Sequence, residues 1–455
     1  MGGNACFCRA SGHDILQLFA IYITLNSEND MIDDSTALEY ISEFYLSSRD
    51  FNGAPVRTLR KELGLELPAA KELLERLLRA EKIDLLFGNI HPNPHIKAFS
   101  HIPHEKQLQF LKEIGLTDSV CVYPGKVHLL TLPLEARFEG RPFDLELARG
   151  HGQLEHRTFD LAVLEHYRND PCYYYETNFI NGSISIKDEY FEGDSMPEHD
   201  QVLMQTFGFA YDKDLNRAVA VFLRYLADLS PEHQRVWHSK MLSGDYKLHP
   251  DYYRSSILGD WGTSISIFEA FTMELKVINE MSALIGKPPL FRQTFDSERP
   301  RDFGFLLRPT LTEFNAFVLL LDKMLSDNID KAFFENELPL EEDRTRADGK
   351  IEVRQKGTLA LLEEWLRKFF RPAEPEPFEA MFKALRTVRR LRQKPAHAVN
   401  ENLFDQAYFK QQRQLMIDAY DALRTLRLVL ANHPKVRRNP PKIQENLAKG
   451  EIWDI

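Results

Sequence analysis

The sequence predicts a multidomain, mainly α protein with an N-terminal helix-turn-helix module, an α+β middle region and a C-terminal antiparallel four-helix bundle. The chain has 455 residues, which suits two to four domains that each bury a core. Hydrophobic residues make up 43% and charged residues 27% of the chain, which excludes the disordered, collagenous and coiled-coil classes. Short apolar runs of β type lie in the middle of the chain, and longer runs with helical spacing follow in its last third.

The charge balance limits the partners that we expect. Lys and Arg number 57 against 68 Asp and Glu, so the formal net charge is −11. An acidic chain does not coat nucleic acid through its overall charge, and any contact with RNA or DNA needs a local basic surface. No stretch of the sequence reaches the roughly 18 to 20 apolar residues that cross a bilayer. We therefore expect a cytoplasmic protein without membrane contact.

Residues 1–34 are predicted to be an N-terminal segment outside the folded modules. They lack the basic start and long apolar core of a secretory signal, and also the Ser or Thr of the myristoylation pattern. Cys6 and Cys8 are too close for an ordinary disulfide or a CxxC redox pair, which fits a reducing compartment. A zinc site formed by both thiols and His13 is the alternative to plain reduced cysteines. We predict no metal ion and no other cofactor.

Residues 35–118 carry the pattern of a winged helix-turn-helix module. Apolar spacing indicates a first helix around Leu38, Pro55 opens a second helix, and Pro68 opens a third. A strand is predicted over residues 83–87, followed by a Pro-rich loop. Helix, helix, turn, helix, strand and loop is the order of the winged helix.

The charge of the third helix leaves its partner open. The helix offers three cations, Lys71, Arg76 and Arg79, but also the carboxylates of Glu72 and Glu75. A basic recognition helix would contact DNA, whereas a helix of mixed charge suits a protein contact equally well. We keep both a DNA and a protein partner as expectations for this module.

Residues 119–305 are predicted to form a mixed α/β region without a catalytic motif. Strands are expected over residues 120–123, 127–130, 172–175 and 182–186, and helices over residues 216–229 and 265–284. The histidines of this region are scattered, with no HExxH motif and no carboxylate group around them. We interpret them as surface or packing residues.

Residues 306–434 carry the clearest helical pattern, and residues 435–455 are predicted to be a basic tail. Four helices are expected over residues 312–329, 358–370, 378–391 and 405–431. A polar loop is expected over residues 335–350. Three prolines between residues 371 and 377 end the second helix, because proline lacks an amide donor. Four antiparallel helices of this kind form a bundle.

The third helix of this bundle carries a basic surface that stands out in an acidic chain. Five cations fall within nine residues, and a histidine closes the run. Helical spacing places a set of polar side chains opposite the apolar stripe: Arg386, Arg390, Gln393, Lys394 and His397. Cations hold a phosphate, and an imidazole moves a proton near neutral pH. The pattern favours a phosphodiester-cleaving site in which Arg386, Arg390 and Lys394 bind RNA.

Residues 391–397, with the sequence LRQKPAH, resemble the R-x4-H signature of HEPN domains, the helical bundles of many prokaryotic defence and toxin ribonucleases. The resemblance covers about residues 310–433. It implies a metal-independent endoribonuclease in antiviral or stress defence, which cleaves RNA through the 2′-hydroxyl in a cleft shared by two protomers. By position, Arg392 would hold the phosphate, His397 would act as general acid or base, and Gln393 would orient them.

Two further observations concern how Arg392 and His397 can come close together and which side chains support them. Arg392 and His397 do not meet on an ideal helix, so a kink at Pro395 or a second copy of the helix must bring them together. Asp322 and Asp327 on the first bundle helix are candidate supporting partners, with an ordinary exposed salt bridge as the alternative.

Two other interpretations stay open. The bundle is an inactive scaffold, or the protein is a non-enzymatic nucleic-acid-binding regulator or sensor with a winged helix and a dimerising bundle.

Overall fold

The computed structural model of the chain describes residues 33–48, 50–87, 101–191, 197–260, 265–296, 298–345, 351–371, 374–393 and 401–453. Several sequence predictions fall outside these residues. They concern nearly all of the N-terminal segment with Cys6, Cys8 and His13, the kink at Pro395, and the site residues Lys394 and His397.

The fold class is α+β, so the prediction of a mainly α chain is wrong. Helices account for about 52% and strands for about 16% of the structure, and the strands pair in several sheets, one of which has six strands. The chain forms two compact units with interleaved sequences. One unit comprises Met1–Phe159, Ser185–Phe207 and Ala220–Ser243, and the other comprises Asp160–Ile184, Gly208–Val219 and Gly244–Ile455. The domain boundaries predicted at residues 34, 118, 305 and 434 stay predictions.

The first unit begins with helices and a small antiparallel sheet, in the order α1 (Asp34–Ser47), β1 (Ala54–Pro55), α2 (Val56–Leu63), α3 (Leu67–Arg79), β2 (Ile83–Leu86), α4 (His104–Glu113) and β3 (Cys121–Pro124). The strand order is β1-β3-β2, with Leu85 opposite Val122. Asp33 caps α1 by accepting a hydrogen bond from the Thr36 amide. Helix α2 ends at Gly64, in the left-handed conformation that glycine tolerates best. The winged-helix interpretation of this segment stays a prediction.

One hydrophobic core joins these helices and strands. Its buried members come from helices and strands alike and include Ile41, Leu59, Leu74, Ile83 and Val122. Apolar side chains three and four positions apart turn one face of each helix towards this core. Because burial of apolar surface contributes about 25 cal/mol per Å², these contacts are the main force that positions β2 and α4.

The α-helices and strands that follow, up to residue 260, are mostly short. They are α5 (Lys126–Leu129), α6 (Pro142–Ala148), β4 (His156–Phe159), α7 (Glu165–Arg168), β5 (Tyr173–Thr177), β6 (Asn181–Ile186), α8 (Asp188–Phe191), β7 (Leu203–Tyr211), β8 (Arg217–Phe222), α9 (Leu223–Ala227), α10 (Pro231–His238), β9 (Lys247–Leu248) and α11 (Pro250–Tyr253). The larger sheet has the strand order β4-β8-β7-β6-β5, and β9 pairs with β7.

This region confirms the strands predicted over residues 172–175 and 182–186 and corrects two other predictions. Residues 127–130 lie in and just after the short helix α5 rather than in a strand, and Val127 is exposed. Residues 217–222 form β8 rather than a helix. Because nearly every residue of β8 is buried, both faces of the strand are covered and its sequence shows no alternation of polar and apolar residues.

The C-terminal elements are β10 (Ile265–Ser266), α12 (Ile267–Ile285), α13 (Leu311–Met324), β11 (Glu341–Thr345), β12 (Ile351–Gln355), α14 (Thr358–Phe369), α15 (Glu376–Gln393), α16 (Ala407–Ala431), α17 (Pro434–Arg438), α18 (Glu445–Lys449) and β13 (Ile452–Trp453). The predicted four-helix bundle is wrong in two respects. Strands β11 and β12 pair antiparallel, with β11 inside the loop predicted over residues 335–350, and α12 packs along α16 as a further helix. Among the described residues, no helix has the length and apolar character needed to cross a membrane.

A buried ion pair ties α12 to α16. Arg427 Nε donates to Glu274 Oε2 at 2.6 Å, and neither side chain is more than 6% exposed. Burial raises the pKa of Glu274, although the guanidinium of Arg427 acts in the opposite direction. A buried carboxylate needs its cation, so this contact holds α12 against α16.

Candidate functional site

The predicted site lies at the C-terminal end of α15. Pro377 stands in the first turn of this helix, where its missing amide donor leaves no hydrogen bond unmade. One face of the helix is apolar and buried: Phe378, Met381, Phe382, Leu385 and Val388. Arg392 and Gln393 are the last two residues of α15. Arg392 reaches a carboxylate of α13, whereas Gln393 is exposed.

Two carboxylates hold the guanidinium of Arg392. Its Nη1 donates to Asp322 Oδ2 at 2.6 Å and also to Asp327 Oδ2. Asp322, on α13, is completely buried, and its other oxygen accepts a hydrogen bond from Ser326 Oγ at 2.6 Å. Asp327 lies in the turn after α13 and is 36% exposed. The two aspartates therefore fix the orientation of the guanidinium.

Arg389 completes a cluster of two arginines and two aspartates, which we call the Arg–Asp cluster. Its Nη1 lies 3.0 Å from Asp327 Oδ1 and 3.8 Å from Asp322 Oδ2. Partial burial acts to raise the pKa of Asp327, but hydrogen bonds from Arg389 and Arg392 outweigh it and hold this pKa below its usual value. Hydrogen bonds to Asp322 and then Asp327 raise the pKa of Arg392, so this guanidinium stays charged. Two positive and two negative charges balance within the cluster.

The structure separates the cations that the sequence assigns to RNA binding. Arg386 binds Glu363 of α14, which also accepts a hydrogen bond from Arg367 at 2.9 Å. Arg390 is exposed and has no ion-pair partner among the described residues. Lys394 lies outside those residues. The basic face of α15 is therefore partly neutralised, and Arg390 is the described member that keeps its charge for a ligand.

Carboxylates also engage the cations of α3. Arg76 donates to Asp34 of α1 at 2.9 Å, and Arg79 binds Glu75 on its own helix. Lys71 is partly buried. Ion pairing leaves little free positive charge on the helix that a winged-helix interpretation would place on DNA, which weighs against DNA recognition by this surface.

The sequence interpretation misses one group of ionisable side chains in the first unit. Asp84 on β2, His101 before α4 and His104 at its start each offer a ligand atom, and these atoms lie within 4.8 Å of one another. We call them the Asp84–His101–His104 group. The H-x-x-H spacing directly before a helix is a signal that identifies the two histidines, whereas only the tertiary fold adds Asp84.

No protein-family profile, no curated protein and no solved structure matches this chain.

Proposed function

We propose that the protein is a metal-independent endoribonuclease of the HEPN type, with Arg392 as the phosphate-binding group and His397 as the general acid or base. The fixed position of Arg392 in the Arg–Asp cluster is the observation that supports this proposal most. A guanidinium that meets a transferring phosphate gains from being held in one orientation beforehand. In the described part of the chain, the contacts of Arg392 engage Nη1, so Nε and Nη2 remain as donors for phosphate oxygens.

The proposed reaction is a transesterification within the RNA. A base takes the proton of the ribose 2′-hydroxyl, the 2′-oxygen attacks phosphorus, the bond to the 5′-oxygen breaks, and an acid returns a proton to that leaving oxygen. The products are a 2′,3′-cyclic phosphate and a 5′-hydroxyl. Arg392 would stabilise the negative charge that develops on the phosphoryl oxygens, and His397 would transfer protons near neutral pH. Gln393 would orient both groups, and the exposed Arg390 would attract the RNA.

We propose a homodimer as the active form. Arg392 and His397 are five residues apart, about 140° around an ideal helix, so a single helix does not bring them together. Two copies related by a two-fold axis would place the histidine of one protomer beside the arginine of the other. The cytoplasm is the proposed location, and antiviral or stress defence is the role that the HEPN resemblance implies.

A purely structural role for Arg392 is the main rival explanation. Asp322 is completely buried, and a buried carboxylate needs a cation whether or not RNA is cut. Arg389 contacts the same two aspartates. A variant at Arg389 therefore disturbs the same carboxylates without removing the proposed phosphate-binding group, which makes it the matched control.

RNA cleavage in the presence and absence of EDTA tests the proposal. We expect the wild-type protein to release fragments with cyclic phosphate ends under both conditions. His397→Ala and Arg392→Ala should each slow cleavage by about 10²- to 10⁴-fold, the usual contribution of such groups. Arg389→Ala should keep most of the activity. Equal losses for Arg389→Ala and Arg392→Ala would assign Arg392 a structural role, and loss of wild-type activity in EDTA would indicate a metal-dependent nuclease.

A further inference from the structure

We propose that the Asp84–His101–His104 group binds one divalent transition-metal ion, with Zn²⁺ as the ion that its ligand set suits best. One carboxylate and two imidazoles are a ligand set that zinc takes in proteins, with the fourth position of the tetrahedron left to water or another ligand. The proposal concerns the first unit, and it does not depend on the nuclease proposal.

The spacing of the ligand atoms fits such an ion. His101 Nε2 lies 3.1 Å and His104 Nε2 lies 3.3 Å from the same oxygen, Asp84 Oδ1. With metal–ligand bonds of about 2.0 Å, two ligand atoms of a tetrahedral zinc site are about 3.3 Å apart. The two measured separations are therefore close to edges of the required tetrahedron, and the ligand atoms of all three side chains lie within 4.8 Å of one another.

The Nε2 atom of His104 makes no hydrogen bond with the described part of the protein. His104 Nε2 is buried and has no hydrogen-bond partner among the described residues, although Asp84 Oδ1 is 3.3 Å away. A buried polar atom without a partner is rare and costs free energy. A metal ion that accepts the lone pair of this nitrogen would satisfy it.

A hydrogen bond from Gln107 orients the carboxylate of Asp84, and the ligands of metal sites usually have such a second partner. Gln107 is 2% exposed and donates from Nε2 to Asp84 Oδ1 at 2.8 Å and to the carbonyl of Ile102 at 2.6 Å. Its Oε1 accepts a hydrogen bond from the amide of Leu85 at 2.7 Å. Such outer partners orient a ligand and tune its affinity for the metal.

The ion would connect β2 to the start of α4. Asp84 belongs to the small sheet, whereas His101 and His104 lie just before and at the beginning of the helix. The sequence between these two elements is long, and a cross-link that closes a long loop restricts the unfolded chain. We therefore infer that the bound ion would hold α4 against the sheet, while its fourth position stays open to water or another ligand.

Metal binding by the full chain tests this proposal. The probes are Zn²⁺, measured by equilibrium dialysis with elemental analysis, and Co²⁺, whose visible absorption reports its coordination geometry. We expect one tight equivalent per wild-type chain and a tetrahedral Co²⁺ spectrum. His101→Ala should weaken binding by at least about tenfold and change that spectrum. His101 is 55% exposed, so this variant is expected to fold.

His199→Ala is the matched control. His199 is 52% exposed and lies 3.6 Å from Asp200, which also has His233 at 3.4 Å, so the chemistry resembles the proposed site. In the described part of the chain, the ligand atoms of these three residues do not come close enough to one another to form a group that could hold a metal ion. We expect His199→Ala to bind metal like the wild type.

Two results would overturn the proposal. One is wild-type binding that His101→Ala leaves unchanged, and the other is the absence of a tight equivalent in the wild type. Asp84→Asn, which keeps the shape of the side chain but removes its charge, should weaken binding as well. RNA cleavage is no part of this readout, so the metal proposal and the nuclease proposal fail separately.

Discussion

Removing Arg392 should destabilise the packing of α15 on α13 by about 3 kcal/mol. Asp322 is completely buried and loses its closest cation in Arg392→Ala. Removal of one partner from a buried ion pair typically costs about 3–5 kcal/mol, because the remaining charge is uncompensated. We expect the lower end of this range, because Ser326 still donates to Asp322 and Arg389 stays within 3.8 Å.

Hydrogen exchange of the amides in α13 and α15 measures this loss locally, which is appropriate for a chain with two compact units. Arg390→Ala is the control, because Arg390 is exposed on the same helix and should change stability by no more than about 0.5 kcal/mol. In an Asp322→Leu background, Arg392→Ala should cost far less, because no buried charge is left to compensate. If Arg392→Ala costs no more than Arg390→Ala, or costs the same in both backgrounds, the ion pair does not order this end of α15.

Four other perturbations have outcomes that follow from the structure and from the proposed metal site. Burial raises the folded-state pKa of Glu274 above that of an ordinary glutamate. The stability that this shift contributes is complete below the unfolded-state pKa and is lost as pH rises through the folded-state pKa. In Glu274→Gln, the free energy of unfolding in urea should therefore depend less on pH in this range. Gly125→Ala should lower the free energy of unfolding by about 1–3 kcal/mol, because its Cβ would lie 2.7 Å from the carbonyl oxygen of Glu81. Gly357→Ala, whose Cβ meets open space at the N-cap of α14, should cost less than Gly125→Ala in the same denaturation experiment. Zn²⁺ at about 100 times its Kd should stabilise the wild type by about 2.7 kcal/mol in calorimetry and have little effect on His101→Ala.

Helical periodicity was sufficient to locate the long helices. The sequence predicts helices over residues 312–329 and 378–391, and the structure has α13 over Leu311–Met324 and α15 over Glu376–Gln393. Helix α13 stops early because the backbone of Leu325 leaves the helical region. Spacing of apolar residues reports which face is buried and not which element covers it. The spacing therefore does not predict that α12 packs along α16. For the same reason it does not show that the four-helix bundle is wrong.

For the candidate sites, too, the sequence reveals some of the residues but not the contacts between them. The basic run on α15 is visible in the sequence, but the carboxylates that pair with it are 65 and 70 residues away along the chain from Arg392. The two histidines of the proposed metal site are close in sequence, whereas Asp84 lies 17 residues before His101. Contacts of this range depend on how helices and strands pack, and no local pattern encodes them.

The ion pairs also determine how the proposed nuclease could recognise RNA. Because the Arg–Asp cluster is neutral overall, its attraction for a phosphate cannot come from net charge and must come from the direction of the remaining N–H donors of Arg392. Arg390 adds a single exposed charge, whose effect salt screens within about 10 Å. The described residues of the proposed site would thus hold one phosphate by geometry. Recognition of this kind suits cleavage at positions where the shape of the RNA presents a phosphate correctly.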